Sequence, residues 1–590
     1  MSIKRIYEMK INFKRFLAVL MAFLLIIPAL PLAKAEFEAP VSVFKIGLYN
    51  DSNDGIVRNF TSANLENYSG SGFGYDIGYF DENREFNYIG ASITDTKKVT
   101  VTVDKNIKWD ASTRAYKESS LDDEIEIGAF HIELTNAFQD YASARALADS
   151  LNVGVNAFVK FSSGLYYVCI GDYPHAANAE AARAEMTIDY ATSIDSGSSY
   201  SVSIVETGTD RIIFEFDYNG KYHLALRPRI EEGLKAITYH RGYRYYGDFS
   251  FVRPYSGNIF VVNYVAIEDY VAGVLPYEMS ASWPLEALKA QAVTARTYAM
   301  KNLNKHSSYG FDICNTTDCQ VYRGVGQATE NSNRAAAETA GMYLTYKGEL
   351  CETFFYSSNG GASESVENVW GKPRDYLLGV YDPYEADVAG TISGYNYTIT
   401  YSGAQLAERL QSRGYNAKTI VKFDLEFTPV GNVRKVKLTD ANGASFTFSG
   451  DNVRIVLGTR SIRFTVNDIK PNSDMIFINS AADWISEAFA NLFAVGADGT
   501  ASITSGGVYA INGNNEIVSV NTESAKTATG TFVIKGAGHG HSVGMSQWGA
   551  YSMAKYHAMD YMQILTFYYQ GTEITYSVKN EQNFGGKENI

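Results

Sequence analysis

The chain has 590 residues, 46% of them hydrophobic and 20% charged, with a formal net charge of -14. This is ordinary globular composition, long enough for roughly three or four domains, and an acidic chain with no long basic run excludes nucleic acid as an expected partner. Its 4 cysteines are too few for a disulfide scaffold, and its 43 tyrosines supply flat apolar faces with polar tips that suit sugar-binding grooves and ordinary cores alike.

Residues 1–35 read as an export signal: Lys10, Lys14 and Arg15, an apolar run from Phe16 to Leu30, then Ala33-Lys34-Ala35 as a cleavage site. An uncleaved N-terminal anchor is the alternative, although the run is short for a span and contains Pro28. The expected location is exported, at the cell wall or outside the cell, with membrane contact only if this segment is retained. From 36 to 110, short alternating strands such as VFKIGLYN and VTVTVD separated by Gly, Ser and Asn clusters predict a β-rich domain without a catalytic constellation.

Residues 124–206 change rhythm. EIEIGAFHIEL, YASARALADSL, VNAFVKF, LYYVCIGDY, AANAEAARAEM and YSVSIVE predict the order β-α-β-β-α-β of a ferredoxin-like split unit. His175 and Cys169 are read there as structural. A connector at 207–233 leads into a large third region, 234–576, followed by a tail at 577–590. Within that region a helix after Trp283, a short helix stopped by Gly341, a hairpin turning at Lys347-Gly348, a helix at SGAQLAERLQSRG, a helix at ADWISEAFANLF and a hairpin around Asn512-Gly513 are expected. Cys351 is expected to be a buried small side chain. The predicted fold class is multidomain α+β: mixed sheets, a long active-site helix and a ferredoxin-like unit.

The chemistry centres on VAGVLPYEMSASWPLEALKAQAVTARTYAMKNLN, Val271 to Asn304. Glu278 stands just before a helix whose Leu288, Ala292, Ala295 and Ala299 recur at spacings of four, three and four, an apolar stripe for a core. Ser282 or Trp283 is expected to close the helix start, with Pro284 in the first turn. The apolar run before Glu278 would raise its carboxyl until it carries a proton near neutrality, as a general acid requires; capping of backbone amides, or an ion pair with Arg296, is the structural alternative. Further on, His306, Cys314 and Cys319 offer three zinc ligands, with water or another residue fourth. The C-x4-C spacing suits a disulfide or two unlinked thiols at least as well. Ser357 to Gly361 form a tight polar loop in which the bare backbone of Gly360 and Gly361 can approach a sugar. Glycines 536, 538, 540, 544 and 549 surround His539, His541, Ser546, Gln547 and Trp548 in the same manner.

Read as words, EDYVAGVLPYEMSASWPLEALKAQAVTARTYA (Glu268 to Ala299) and GAGHGHSVGMSQWGAYSMAKYHAMDYMQILTFYYQGTEI (Gly536 to Ile574) resemble the two signatures of the stage II sporulation protein D / LytB family, whose catalytic members are lytic transglycosylases of peptidoglycan. CQVYRG, FYSSNGG and RIVLGTRSIRF fall between them in family order, and the resemblance covers roughly Leu234 to Ile574. It implies that Glu278 is the acid and then the base of a one-carboxylate reaction that needs no cofactor. It also implies substrate contacts from Gln291, Arg296, Tyr298, Tyr322, Ser357, Gly360, Gly361, His541, Ser546 and Gln547. Some relatives carry a zinc ion on His and Cys residues of the loop that here holds His306, Cys314 and Cys319, bracing it rather than activating water. Ser542 and His539 depart from the family's commonest form, a Gly and an aromatic. LYYVCIGDYPHAANAEAARAEM is similar to the centre of a SPOR domain, a module that binds glycan strands stripped of peptides. The implied partners are peptidoglycan glycan strands and a cell-wall amidase, because LytB-type relatives enhance such an amidase without being enzymes.

Overall fold

The computed structural model describes residues 36–37, 39–48, 59–68, 70, 72–120, 125–231, 234–469 and 528–577, together with backbone strands within 475–520. The expected export signal and the tail beyond 577 lie outside these residues. The architecture is mixed α+β, with two large sheets, several small ones, and helices gathered against them.

Most strands of the 36–110 stretch are dealt to two large sheets, with Glu36–Phe37 and Ile107–Asp110 in two smaller ones. Val43–Leu48, Tyr75–Phe80 and Phe86–Ile93 enter a 7-stranded sheet in the order 313–314, 43–48, 260–266, 248–252, 224–228, 75–80, 86–93. Ser62–Asn67 and Lys98–Val103 enter a 10-stranded sheet ordered 192–195, 130–134, 165–173, 157–162, 212–217, 202–206, 98–103, 62–67, 238–240, 243–245. The physical reason is visible in KVTVTV, where every residue from Val99 to Val103 is buried. A strand covered on both faces belongs in the middle of a large sheet rather than in a small hairpin domain, which is marginal by itself.

The first four strands of the larger sheet, with the helices Tyr141–Ser150 and Ala176–Glu185, form the expected split β-α-β-β-α-β unit. Its closing strand is Thr192–Asp195, which pairs antiparallel with Phe130–Leu134 in the register Ile194 to Ile132. YSVSIVE, expected in that place, supplies Val202–Glu206, which bridges Ile212–Asp217 and Lys98–Val103.

Phe260–Ala266 runs straight into the helix Ile267–Glu278, and after a short turn the helix Leu285–Lys301 begins. The apolar run before Glu278 is therefore itself helical, and Pro284, extended at ψ 139°, is the cap position in place of Ser282 or Trp283. Thirteen of the 17 residues of Leu285–Lys301 are buried, so its alanines serve close approach on every side rather than one stripe. Arg296 is fully buried and forks onto Glu268, with Nη2 to Oε2 at 2.6 Å, while donating further to the carbonyls of Met342 and Ala336.

The expected hairpin at 347–348 pairs Met342–Tyr346 with Glu349–Leu350, and Cys351 is buried beside it. Residues 396–469 and 528–534 close around a second core of Leu406, Leu410, Phe423, Val436, Phe448, Leu457 and Phe532, with the expected helix at Gly403–Gln411 started by a Ser402/Gln405 capping box. Trp484–Ala488 is a strand paired with Met475–Asn479, where a helix was expected; its aromatic and β-branched start favours the extended form. The strands flanking Asn512-Gly513 pair as expected, the turn itself lying outside the described residues.

Because the guanidinium of Arg296 has no water to fall back on, Glu268→Ala is expected to destabilise the fold by about 3 kcal/mol, as for other broken buried pairs. A denaturant midpoint measurement on that variant, with Arg296→Lys alongside, tests this.

Candidate functional site

Glu278 closes the helix Ile267–Glu278 and is part-buried. Its Oε1 accepts a 2.7 Å hydrogen bond from the backbone N–H of Val321, and the side chain of Gln547 supplies a second. Burial pushes its carboxyl up to about 7, and these two donors hold it back from rising further. No charged group among the described residues bears on that balance. Three distant segments thus converge: the first long motif gives the acid, CQVYRG gives an amide, and the last motif gives an amide side chain. The site holds one carboxyl poised to give up or take a proton near neutrality, and among the described residues no second carboxylate acts on it.

Beside it stands an aromatic group that sequence reasoning did not assemble. Trp283 lies 4.6 Å from Trp548 and 4.9 Å from Tyr551, ring centre to ring centre, and all three are part-exposed. Trp548 directly follows Gln547, the residue whose side chain reaches Glu278.

The other expected contacts resolve differently. The Tyr322 ring is core, with its hydroxyl donating to Asn263 at 2.8 Å; it is the neighbouring Val321 amide that reaches Glu278. Arg296 is spent on Glu268. Gln291 is fully buried with neither amide atom partnered among the described residues, and Tyr298 is buried against Phe354. His541 is a neutral strut: Nε2 donates to the Phe355 carbonyl at 3.0 Å, Nδ1 accepts from Val543 N–H, and burial lowers its pKa to about 4. None of these side chains is placed on Glu278.

The polar loop turns inward because it wraps two buried carboxylates absent from the expectations. Glu385 accepts from Ser358 Oγ at 2.6 Å, from the N–H groups of Asn359 and Gly360 at 2.9 Å each, and from Ser546 Oγ at 2.5 Å. Asp382 accepts from Asn359 Nδ2 at 2.6 Å and Tyr568 O–H at 2.5 Å. Ser546 also caps the helix Gln547–Tyr556 by accepting from Gly549 N–H. Ser357 offers its carbonyl to Trp548 N–H, and Gly361 N–H closes onto Asn359. Gly360 has φ 71°, and a Cβ there would meet the Ala537 carbonyl at 2.5 Å. The loop therefore fixes the Ser546-Gln547-Trp548 corner, which in turn serves Glu278. The sequence signal was YDPYE: two acids on a proline turn, with no basic residue nearby to satisfy them.

His306, Cys314 and Cys319 come together with a fourth group, Asp318, their ligand atoms all within 4.8 Å of one another. His306 Nε2 lies 3.4 Å from Cys319 Sγ and 3.1 Å from Asp318 Oδ2. All 4 cysteines are free, so Cys314 and Cys319 are not joined.

A family model described as Stage II sporulation protein matches residues 255–346. An uncharacterised protein of Brachyspira hyodysenteriae is 32% identical over 338 residues, 56% of this chain and 73% of the relative. The amidase enhancer of Bacillus subtilis is 29% identical over 51% of this chain, a match spanning 40% of that longer protein, and the stage II sporulation protein D of the same organism is 27% identical over 53% of this chain and 76% of its own length. The segment that carries Glu278 is thus the one the sporulation family model matches, in a mixed α+β protein. The chain belongs to the stage II sporulation protein D / LytB family.

The unfolded Glu278 carboxyl ionises near 4.5 and the folded one near 7. Between these values the native state binds the extra proton, so rising pH weighs against folding until the folded group has ionised. Glu278→Gln removes that cost. Its melting temperature relative to wild type is expected to be higher at pH 8 than at pH 4, as read by circular dichroism.

Proposed function

We propose that this protein is a peptidoglycan lytic transglycosylase acting at the cell wall during remodelling such as sporulation. The observation that carries the reading is Glu278, a lone carboxyl with a proton affinity near 7 held by Val321 and Gln547 beside an aromatic platform. Hydrolytic glycosidases usually need two carboxyl groups. A lytic transglycosylase needs one, because the substrate brings its own nucleophile. Protonated Glu278 gives its proton to the oxygen of the β-1,4 bond between N-acetylmuramic acid and N-acetylglucosamine, and the C1–O bond breaks. The resulting carboxylate takes the proton of the muramoyl C6 hydroxyl as that oxygen bonds to C1. The products are a 1,6-anhydro-muramoyl end and a free N-acetylglucosamine hydroxyl, with Glu278 protonated again and no water consumed. The Val321 and Gln547 donors stabilise the carboxylate intermediate between the two transfers.

On this reading 234–576 carries the chemistry, 124–206 is a SPOR-like unit that grips peptide-free glycan, 36–110 and 207–233 serve as spacer and connector, and 1–35 directs export. The strand order 192–195, 130–134, 165–173, 157–162 supports the middle assignment. A structural zinc ion suits His306, Cys314, Cys319 and Asp318: two thiols, an imidazole nitrogen and a carboxylate in mutual reach. Bound there, it braces the turn that delivers the Val321 amide. The similarity to an amidase enhancer favours a second reading, in which the chain stimulates a cell-wall amidase without cutting glycan.

Mass spectrometry of glycan strands incubated with the chain separates these readings. Wild type is expected to leave anhydro-muramoyl ends, mainly from peptide-free strands, and Glu278→Gln to lose on the order of 10²–10⁴ in rate. Stimulation of an added amidase by both proteins, with no anhydro ends from either, would establish the enhancer reading instead. The rate is expected to fall as pH rises through about 7, where Glu278 loses the proton it donates. Cys319→Ser is expected to lower zinc retention by about one equivalent in elemental analysis, the share held at this loop, and to lower the melting temperature.

A further inference from the structure

A second constellation lies on the face of the 10-stranded sheet opposite the helices of the split unit. Asp104, just beyond the strand Lys98–Val103, His131 on Phe130–Leu134 and Glu215 on Ile212–Asp217 bring one ligand atom each within 4.8 Å of the others. His131 and Glu215 are fully buried and Asp104 is 8% exposed. His131 and Asp104 each have their far atom hydrogen-bonded and their near atom toward the other ligands. His131 Nδ1 donates to the Gly171 carbonyl at 2.7 Å, leaving Nε2 without a hydrogen-bond partner. Asp104 Oδ2 accepts from Ser201 Oγ at 2.8 Å, leaving Oδ1 at 3.6 Å from that Nε2. Glu215 Oε1 faces Lys160 at 3.5 Å and Oε2 lies 3.9 Å from His131 Nε2, neither oxygen having a hydrogen-bond partner among the described residues. Ser203, directly opposite Glu215 in the ladder and so on the same face, also has a buried hydroxyl with no partner among the described residues.

We propose that Asp104 Oδ1, His131 Nε2 and Glu215 Oε2 form a buried structural site for a divalent metal ion of the zinc type. Bonds of about 2.1 Å to imidazole and carboxylate set ligand-to-ligand separations of about 3.4 Å around a tetrahedral ion, close to the spacings here. An imidazole whose other N–H is fixed on a backbone carbonyl, and a carboxylate whose outer oxygen is held by a hydroxyl, are the supporting contacts such ligands commonly have. The charge count agrees. Glu133, Asp195, Glu215 and Asp104 crowd this face: the first three share Lys160, and the buried Arg253 interacts electrostatically with Asp104 and Glu215, so four acids face two permanent cations with His131 between Asp104 and Glu215. Two carboxylates this close and out of water repel unless a cation lies between them. The three ligands come from separate segments, two strands and the residue just past a third, so the ion would tie the split unit to the strand contributed by the amino-terminal stretch.

Elemental analysis of the full chain carrying Cys314→Ser and Cys319→Ser, which disables the other candidate zinc site, is the direct test. About one equivalent of zinc is expected to survive dialysis in that protein, and to be lost when His131→Ala is added, because metal affinity here is also folding energy. A chelator should then lower its melting temperature. If the double-cysteine variant is folded yet holds no zinc, the proposal fails and the triad is a protonated histidine between two carboxylates. Should that variant not fold, cobalt titration of the wild type decides: cobalt bound beyond the population showing thiolate charge-transfer absorption supports the nitrogen and oxygen site. Cobalt wholly accounted for by that absorption overturns it.

Discussion

A carboxyl group withdrawn from water keeps its proton unless donors are aimed at it, and the site rests on how many donors each buried acid receives. Glu385 takes four, from the 358–360 loop and Ser546, and has become a hub of the scaffold. Glu278 takes two, from Val321 and Gln547, and is left balanced near neutrality. The first network positions the second, because Ser546, which binds Glu385 and caps the last motif's helix, is followed at once by Gln547. A residue that only organises backbone is therefore coupled to proton affinity two contacts away.

Local patterns were legible in the sequence wherever a single element determined them. The helix at Gly403–Gln411 announced itself through Ser402 and Gln405, the hairpin at 347–348 through its glycine, and the split unit through its alternation of periods. Pairing between distant segments was not legible. KVTVTV does not say whether it ends a small sheet or centres a large one, and Arg296 offers no sign that its partner is Glu268 rather than Glu278.

The candidate site divides in the same way. Glu278 and Gln547 stood out in motifs, but their meeting depends on tertiary structure. The polar side chains of Ser358 and Asn359 suit ligand contact as well as internal bonding, and only the buried carboxylates of Asp382 and Glu385 decide which. Asp318 was hidden between its cysteines, since a carboxylate in a loop is ordinarily just solvated.

The distance along the chain between Glu278 and Gln547 has a consequence for how the protein comes into being. The acid is made early and its second donor late, after the unit with its own core at 396–469 and 528–534. A nascent or truncated chain ending before 547 holds the carboxyl and the Val321 amide, yet lacks the Gln547 donor, the helix that carries it and the indole of Trp548. Competence is thus a property of the finished molecule: the order of synthesis keeps the centre incomplete until the last motif has docked.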